Sequence, residues 1–256
     1  MRSTLLLLVL AYYVLPAHLQ GATVVLSASR DTALFEQNSN YNLGSNDLIA
    51  GVTARYDQRA RSLIQFDVTA LIPAGSAITG ATLELNLISQ AASHSPGSYQ
   101  LRRFLKDWQE GVVTVKNGST AAAGDSTWNS QFQGTTLWST LGGQAGVEYA
   151  ATPSAVGTSV DVGAGLYSFA TNSALIADVQ AWLDTPSANY GWYLLTSDES
   201  VWGNARRFAA SENANATLAP RLVINYTAAP EPSHGLLLLA GIGGLVCRRS
   251  RRRCQA

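Results

Sequence analysis

The chain repeats one local pattern along most of its length: short apolar or β-branched segments, many of them alternating with polar residues, are separated by turn-forming residues. These segments are residues 23–28, 32–36, 62–68, 81–88, 98–105, 190–196, 207–211 and 221–226. Alternation with a period of two places every second side chain on the same face of a sheet. A series of such strands predicts an all-β fold, a jelly-roll-like antiparallel β-sandwich.

One segment has helical spacing instead. Residues 175–183 carry apolar side chains at intervals of three and four, with Asn172-Ser173 available as an N-cap and Pro186 as a stop signal. We therefore expect one short helix in the sandwich. Residues 117–165 are rich in Gly, Ser, Thr and Ala, which predicts long loops with only brief strands.

Both ends of the chain carry targeting signals. Arg2 and the apolar residues 5–15 predict a secretory signal peptide over residues 1–21. Near the other end, Pro230-Glu231-Pro232 keeps the backbone extended, and the apolar residues 235–247 precede five arginines that favour the cytoplasmic side of a membrane. We expect a β-sandwich over residues 22–227 and a sorting and anchor segment over residues 228–256, so that a signal helix and a membrane helix flank the body.

Residue content restricts the chemistry of the body. Cys247 and Cys254 both lie in the tail, and His94 is the single histidine of residues 22–229. A disulfide, a thiolate nucleophile and a multi-histidine metal centre are therefore excluded from the body. Residues 22–229 hold 11 basic and 16 acidic residues, and this negative balance disfavours nucleic acid. We expect no enzyme. A glycoside hydrolase with two carboxylates and a Tyr/Arg lyase acting on uronates are the less favoured alternatives.

The last 27 residues combine Pro-Glu-Pro, an apolar run and an arginine cluster in that order. This order resembles the PEP-CTERM sorting signal of Gram-negative bacteria that export extracellular matrix material. The resemblance implies an exosortase, a membrane-embedded transpeptidase-like enzyme, as a partner. It also implies transient anchoring in the inner membrane, removal of the tail, and delivery to the cell surface or extracellular matrix. An ordinary tail anchor is the alternative.

The body contains a second set of motifs, which spans nearly its whole length. The motifs are DT at 31–32, NLGS at 42–45, RSLIQFD at 61–67, IPAGSAITGATLEL at 72–85, DWQEGVVT at 107–114, VQAWL at 179–183, NYGW at 189–192, ASE at 210–212 and PRLVINY at 220–226. In this order they resemble the DNRLRE domain, also described as carbohydrate-binding module family 96. The resemblance implies a jelly-roll sandwich and non-catalytic polysaccharide binding.

A polysaccharide site requires exposed aromatic rings and polar side chains that pair with hydroxyl or carboxylate groups. Three tryptophans lie in polar loops and are predicted to be exposed, whereas Trp108 and Trp182 are predicted to lie in the core. Three arginines separated by even numbers of residues are predicted to share one strand face and to contact an acidic polysaccharide. A solvated strand edge is the alternative for the arginines. The predicted contact residues are Trp128, Trp138, Trp202, Arg55, Arg59 and Arg61.

Calcium is the ion that the sequence favours, because oxygen-bearing side chains are frequent in one turn-rich stretch. The predicted ligands are Asp31, Asn38, Asn40 and Asp47. The alternative is that these residues only supply turns. The sequence therefore predicts a secreted polysaccharide-binding protein of the cell surface or matrix. A structural matrix or adhesive spacer without a sugar site is the alternative.

Overall fold

The computed structural model describes residues 21–115, 117–158, 161 and 163–229. Residues 21–228 belong to one structural unit, and most of it is β-strand. The strands are β1 (Gly21–Ser27), β2 (Arg30–Phe35), β3 (Tyr41–Asn42), β4 (Leu48–Val52), β5 (Arg59–Gln65), β6 (Ala77–Gln90), β7 (Tyr99–Arg103), β8 (Ser119–Thr120), β9 (Ser130–Phe132), β10 (Thr136–Leu137), β11 (Ala155–Val156), β12 (Gly165–Phe169), β13 (Trp192–Thr196), β14 (Arg206–Phe208) and β15 (Arg221–Thr227). The helix α1 spans Ser173–Asp184.

The strands form two antiparallel layers that share β4. In one layer the long strand β6 pairs with β12, β14 and β15, and β15 also pairs with β1. In the other layer β5 pairs with β2 and β13, β13 with β7, and β7 with β11. Since β4 pairs with β14 and with β5, it joins the layers at one edge. The predicted jelly-roll-like β-sandwich is confirmed.

The main core fills the space between the layers. Leu83, Leu85 and Leu87 of β6 are buried, and the residues between them are only half-buried, as alternation requires. They meet residues of the opposite layer such as Trp192 and Leu194. Each fully buried side chain of this size contributes about 1.5–3 kcal/mol through the hydrophobic effect, so the alternating pattern accounts for the sandwich.

The predicted helix is confirmed with its cap. Asn172 Oδ1 accepts hydrogen bonds from the backbone N–H groups of Ala174, at 2.8 Å, and Leu175, at 3.1 Å. The helix ends at Asp184, two residues before Pro186. Gln180 fixes α1 to β6, because its Oε1 accepts a hydrogen bond of 2.8 Å from the N–H of Ile78. The N-cap, the apolar spacing and the proline stop signal are thus all found at the positions that the sequence predicts.

Each of the eight predicted strand segments contains a strand, and the described residues between 117 and 165 form the predicted long loops with only short strands. The sequence pattern missed β4. All five residues of β4 are buried. One face of the strand packs in the main core, and side chains that do not belong to the main core cover the opposite face. A strand that is buried on both faces shows no alternation and cannot be recognised by its period.

A second apolar cluster lies on the other face of the β5–β13–β7 layer. Tyr193 belongs to this cluster, whereas its neighbours Trp192 and Leu194 point into the main core. The long loop after β7 supplies Trp128 and Trp138. We call this group the outer aromatic cluster; its buried members are Leu34, Leu63, Phe104, Trp108, Trp128, Trp138, Tyr149, Tyr193 and Leu195.

The outer aromatic cluster corrects one prediction. Trp128 and Trp138 were expected to be exposed, but they are 0% and 6% exposed. Trp138 also donates a hydrogen bond of 2.8 Å from Nε1 to the carbonyl oxygen of Thr127. The loop that carries both rings folds back over apolar residues of the sheet. This contact removes the rings and the apolar residues from water together, and burial of so much apolar area stabilises the folded loop. Trp108 and Trp182 are buried, as predicted.

Several predictions concern parts of the chain outside the described residues. These are the signal peptide up to residue 20, the sorting residues Pro230, Glu231 and Pro232, and the membrane segment at 235–247. Within the described ranges, no helix combines the length and the apolar character that crossing a bilayer requires.

Candidate functional site

A groove of about 360 Å³ lies beside β4 and β14. Its floor includes Ile49 of β4, Arg207 of β14 and Ser89 of β6. These three residues are direct cross-strand neighbours, so their side chains share one face of the sheet. Ile49 packs with Phe35 in a small third apolar cluster, apart from the main core. The groove therefore lies on the side of the sheet that faces away from the sandwich interior.

A tight hairpin between β4 and β5 forms one wall of the groove. The N–H of Thr53 donates to the carbonyl of Gln58 at 2.9 Å, and the N–H of Asp57 donates to the carbonyl of Thr53 at 3.0 Å. Arg55 and Tyr56 lie at the tip and are exposed. The guanidinium carbon of Arg55 lies 4.9 Å from the centroid of the Tyr56 ring, a cation–π distance. The turn thus presents a cation and an aromatic ring together.

Arg207 adds a second guanidinium to the groove. Its Nη2 donates to Asn117 Oδ1 at 3.0 Å, and its Nη1 lies 3.5 Å from Asp47 Oδ2. The Asp47 carboxylate offsets part of the Arg207 charge. None of the described residues that line the groove is Asp, Glu or His. The groove is therefore electropositive, although the body as a whole is acidic.

Polar side chains without charge complete the groove. Gln37, Asn38, Gln90 and Asn117 line it, and an amide side chain offers both hydrogen-bond donors and acceptors. Trp202 lies next to the same wall, because its Nε1 donates a hydrogen bond of 3.0 Å to the carbonyl of Ala54. The Trp202 side chain keeps 44% of its area exposed, so the predicted exposure of this ring is confirmed.

The three arginines predicted to act together are separated. Arg55 lies in the hairpin at the groove, whereas Arg59 and Arg61 lie on β5. Both β5 guanidiniums stack on Trp128 of the outer aromatic cluster, with distances of 5.2 and 5.1 Å to its ring. The loop after β7 covers the face that they share. Carboxylates neutralise both: Glu36 pairs with Arg59 at 2.5 Å and Glu199 with Arg61 at 2.6 Å.

The predicted calcium ligands are not assembled into one site. Asp31 lies at the start of β2 and Asn38 beyond its end, and the strand between them separates the two by more than about 10 Å. Asn40 Oδ1 accepts a hydrogen bond of 2.8 Å from Asn129, and Asp47 faces Arg207. Calcium holds its oxygen ligands at about 2.3–2.6 Å, so these four residues cannot share an ion in this fold.

Asp31 has other neighbours, which the sequence reasoning did not bring together. Carboxylate oxygens of Asp31, Glu110 and Glu212 all lie within 4.8 Å of one another. A sequence signal for this cluster existed, because each acid lies in one of the motifs that resemble the DNRLRE domain: DT, DWQEGVVT and ASE. Spacing alone could not connect them, since they are far apart along the chain.

Neither the comparison with protein-family models nor the comparison with curated proteins found a match to this chain. The resemblances to the DNRLRE domain and to the PEP-CTERM signal therefore rest on the sequence motifs.

Proposed function

We propose that this chain is a secreted, non-catalytic protein that binds an acidic polysaccharide in the groove beside β4 and β14. The observation that carries the proposal is the Arg55 guanidinium stacked on the exposed ring of Tyr56, at a groove whose described lining contains arginine but no carboxylate. This pairing of ring and cation suits a sugar unit that bears a carboxylate.

The chemistry of a uronate polymer matches these groups. A pyranose ring offers a C–H face that packs on an aromatic ring. Its carboxylate accepts two parallel hydrogen bonds from a guanidinium, which a lysine cannot supply in the same geometry. The groove volume of about 360 Å³ lies within the range of small-ligand sites. The amides of Gln37 and Asn38 would pair with hydroxyl groups of the sugar.

The expected location supports this function. The signal peptide and the PEP-CTERM-like tail would deliver the body to the cell surface or extracellular matrix of a Gram-negative bacterium, with an exosortase-type enzyme as the partner that recognises Pro230-Glu231-Pro232. In that setting, a groove that binds polysaccharide would attach the protein to matrix material.

A structural matrix spacer is the second candidate. The observation that favours it is the burial of Trp128 and Trp138, which removes two of the three rings that were expected to contact sugar. Glycoside hydrolysis has less support, because it requires two carboxylates across the substrate and the described lining of the groove contains neither Asp nor Glu. A lyase that uses Tyr56 and Arg55 would release unsaturated products, which the test below includes.

Titration calorimetry with the purified chain tests the proposal. Alginate and polygalacturonate are the acidic probes, and a neutral β-glucan is the comparison. Saturable binding of an acidic probe is expected, together with a loss of about tenfold in affinity in Arg55→Ala, since one charge-assisted contact contributes about 1.5 kcal/mol. Tyr56→Ala is expected to weaken binding as well.

Arg221→Ala is the matched control, because this exposed arginine lies on β15, away from the groove, and its Nη1 is 3.9 Å from Glu84. It should bind like the unmodified chain. Equal losses in Arg221→Ala and Arg55→Ala would indicate non-specific charge attraction. Absence of binding to every probe would favour the spacer, and release of unsaturated oligosaccharides would favour a lyase.

A further inference from the structure

Three carboxylates from distant parts of the chain meet at one end of the sandwich. Asp31 belongs to β2, Glu110 to the loop after β7, and Glu212 to the turn after β14. Their carboxylate oxygens lie within 4.8 Å of one another. Asp31 is fully buried, Glu110 is half-buried and Glu212 is exposed. The cluster therefore extends from the interior of the protein to solvent.

Hydrogen bonds from neighbouring groups hold the carboxylates in place. The N–H of Asp31 donates to Glu110 Oε1 at 3.2 Å, and the N–H of Ser211 donates to Asp31 Oδ2 at 2.9 Å. The Ser211 hydroxyl donates to Glu212 Oε1 at 2.8 Å. Asn42 fixes the loop, since its Nδ2 donates to the backbone carbonyl of Glu110 at 2.6 Å. The three acids are thus oriented without a cationic side chain among their hydrogen-bond donors.

None of the ion pairs found within 4.0 Å among the described residues includes Asp31, Glu110 or Glu212. The charge of Arg30 acts on Glu110 only from a greater distance. The nearby Arg30 is engaged elsewhere: its Nη2 lies 2.9 Å from Asp107 Oδ1, and its guanidinium stacks on Trp108 at 4.4 Å.

Asp31 adds an independent observation. Its Oδ1 is buried and accepts no hydrogen bond, although a buried carboxylate oxygen left without a partner is costly. The site lacks a positive charge at the place where Asp31 Oδ1 is unpaired.

We propose that Asp31, Glu110 and Glu212 bind a divalent cation of the calcium type. Calcium prefers hard oxygen ligands at about 2.3–2.6 Å, so two oxygens bound to the same ion lie at most about 5 Å apart, which the cluster satisfies. The free oxygen of Asp31 is the inner ligand, Glu110 is the second, and Glu212 closes the site toward solvent, where water completes the coordination. This site is separate from the groove and does not depend on the polysaccharide proposal.

The ion has a structural consequence. It connects the start of β2, the loop that carries Trp108 and the segment that leads into β15. One bound ion that connects these distant segments stabilises the folded state, because the ion binds the folded state and the unfolded chain contains no such site.

Terbium luminescence of the purified full chain tests the site, since Trp108 lies two residues from Glu110 and can sensitise a bound Tb³⁺. We expect luminescence on tryptophan excitation that Ca²⁺ displaces, and a melting temperature several degrees higher in Ca²⁺ than in chelator. Asp31→Asn should abolish both effects. Because Glu212 is exposed, Glu212→Gln should fold normally and weaken Ca²⁺ binding at least tenfold.

Glu84→Gln is the matched control, because Glu84 is a partly exposed acid on β6 outside the cluster; its response to calcium should be that of the unmodified chain. The proposal is overturned if Ca²⁺, Mg²⁺ and Mn²⁺ all leave the melting temperature of the unmodified chain unchanged. If Asp31→Asn also melts above the unmodified chain, the carboxylates share a proton instead of an ion. Equal calcium responses in Glu212→Gln and the unmodified chain would also overturn the proposal.

Discussion

Arg61 and Glu199 form a two-point ion pair beside the outer aromatic cluster. Arg61 Nε lies 2.6 Å from Glu199 Oε1, and Nη2 lies 2.7 Å from Oε2. The third nitrogen, Nη1, donates to the carbonyl of Gly142 at 2.7 Å. Burial acts to lower the pKa of Arg61, but the hydrogen bonds and charge of Glu199 outweigh it, so the pKa lies above its ordinary value. Arg61 therefore fastens the long loop to β5.

Glu199→Ala should destabilise the fold by about 3 kcal/mol, because it leaves a buried guanidinium without its counter-charge. Urea unfolding followed by far-UV circular dichroism measures this change. Glu36→Ala is the control, since Glu36 pairs with the more exposed Arg59 and its loss should cost about 1 kcal/mol or less. Equal costs for the two variants would contradict the structural role assigned to Arg61.

Trp128 and Trp202 should respond in opposite ways to truncation. Trp128→Ala removes a fully buried ring and should cost about 3–5 kcal/mol of stability, with unchanged affinity for polysaccharide in the fraction that stays folded. Trp202→Ala should leave stability nearly unchanged and reduce affinity by roughly two- to tenfold. Thermal unfolding and calorimetric titration of both variants measure these effects. A stable Trp128→Ala variant with impaired binding would instead support the sequence-based prediction that Trp128 contacts the polysaccharide.

These tryptophans show how far the sequence determines the fold. Alternating strands and the Asn172-capped helix follow from local periodicity, and they appear where that periodicity predicts them. The polar neighbours of Trp128 suggested an exposed loop. Burial, however, depends on which surface a loop covers, and Leu63 and Tyr193 of that surface lie far from Trp128 in sequence. Local pattern carries no information about such packing.

The residues of the groove, like those of the fold, could be predicted from the sequence only in part. Arg55 and Trp202 were identified from residue type and loop setting, and both lie at the groove or its wall. The contribution of Arg207 depends on the pairing of β14 with β4, which joins residues about 160 positions apart in sequence. Long-range pairing of this kind also brings Asp31 beside Glu110 and Glu212, and spacing along the chain does not reveal it.

Gly191 should not tolerate a side chain. Its φ of +73° is unfavourable for other residues, and an added Cβ would lie 2.0 Å from the backbone oxygen of Ile64. Gly191→Ala should therefore cost more than about 3 kcal/mol. Gly146 is a matched control, with a φ of +82° and open space around the position, and Gly146→Ala should cost only about 1 kcal/mol. Urea unfolding of both variants measures the contrast, and similar costs would contradict the proposed clash.

Asp178 should make the folded state less stable as the pH rises, which is the opposite of the usual effect of a carboxylate. Its Oδ2 accepts hydrogen bonds from Ser154 Oγ at 2.5 Å and from Trp192 Nε1 at 2.7 Å. Burial outweighs these bonds and raises the pKa of Asp178. Because the folded state then holds the proton more tightly than the unfolded state does, the contribution of Asp178 favours folding at low pH. That contribution is lost as the pH rises from about 4 through the folded pKa.

Asp178→Asn keeps an acceptor for Trp192 and removes the titration. The stability of the unmodified chain relative to this variant should therefore fall as the pH rises above about 4, and urea unfolding over a pH series measures the difference. Asp178→Ala is the control: it leaves the buried indole N–H of Trp192 unpaired, which should cost about 1–3 kcal/mol at neutral pH. If the difference between the unmodified chain and Asp178→Asn stays constant from acid to neutral pH, burial does not determine the charge state of Asp178.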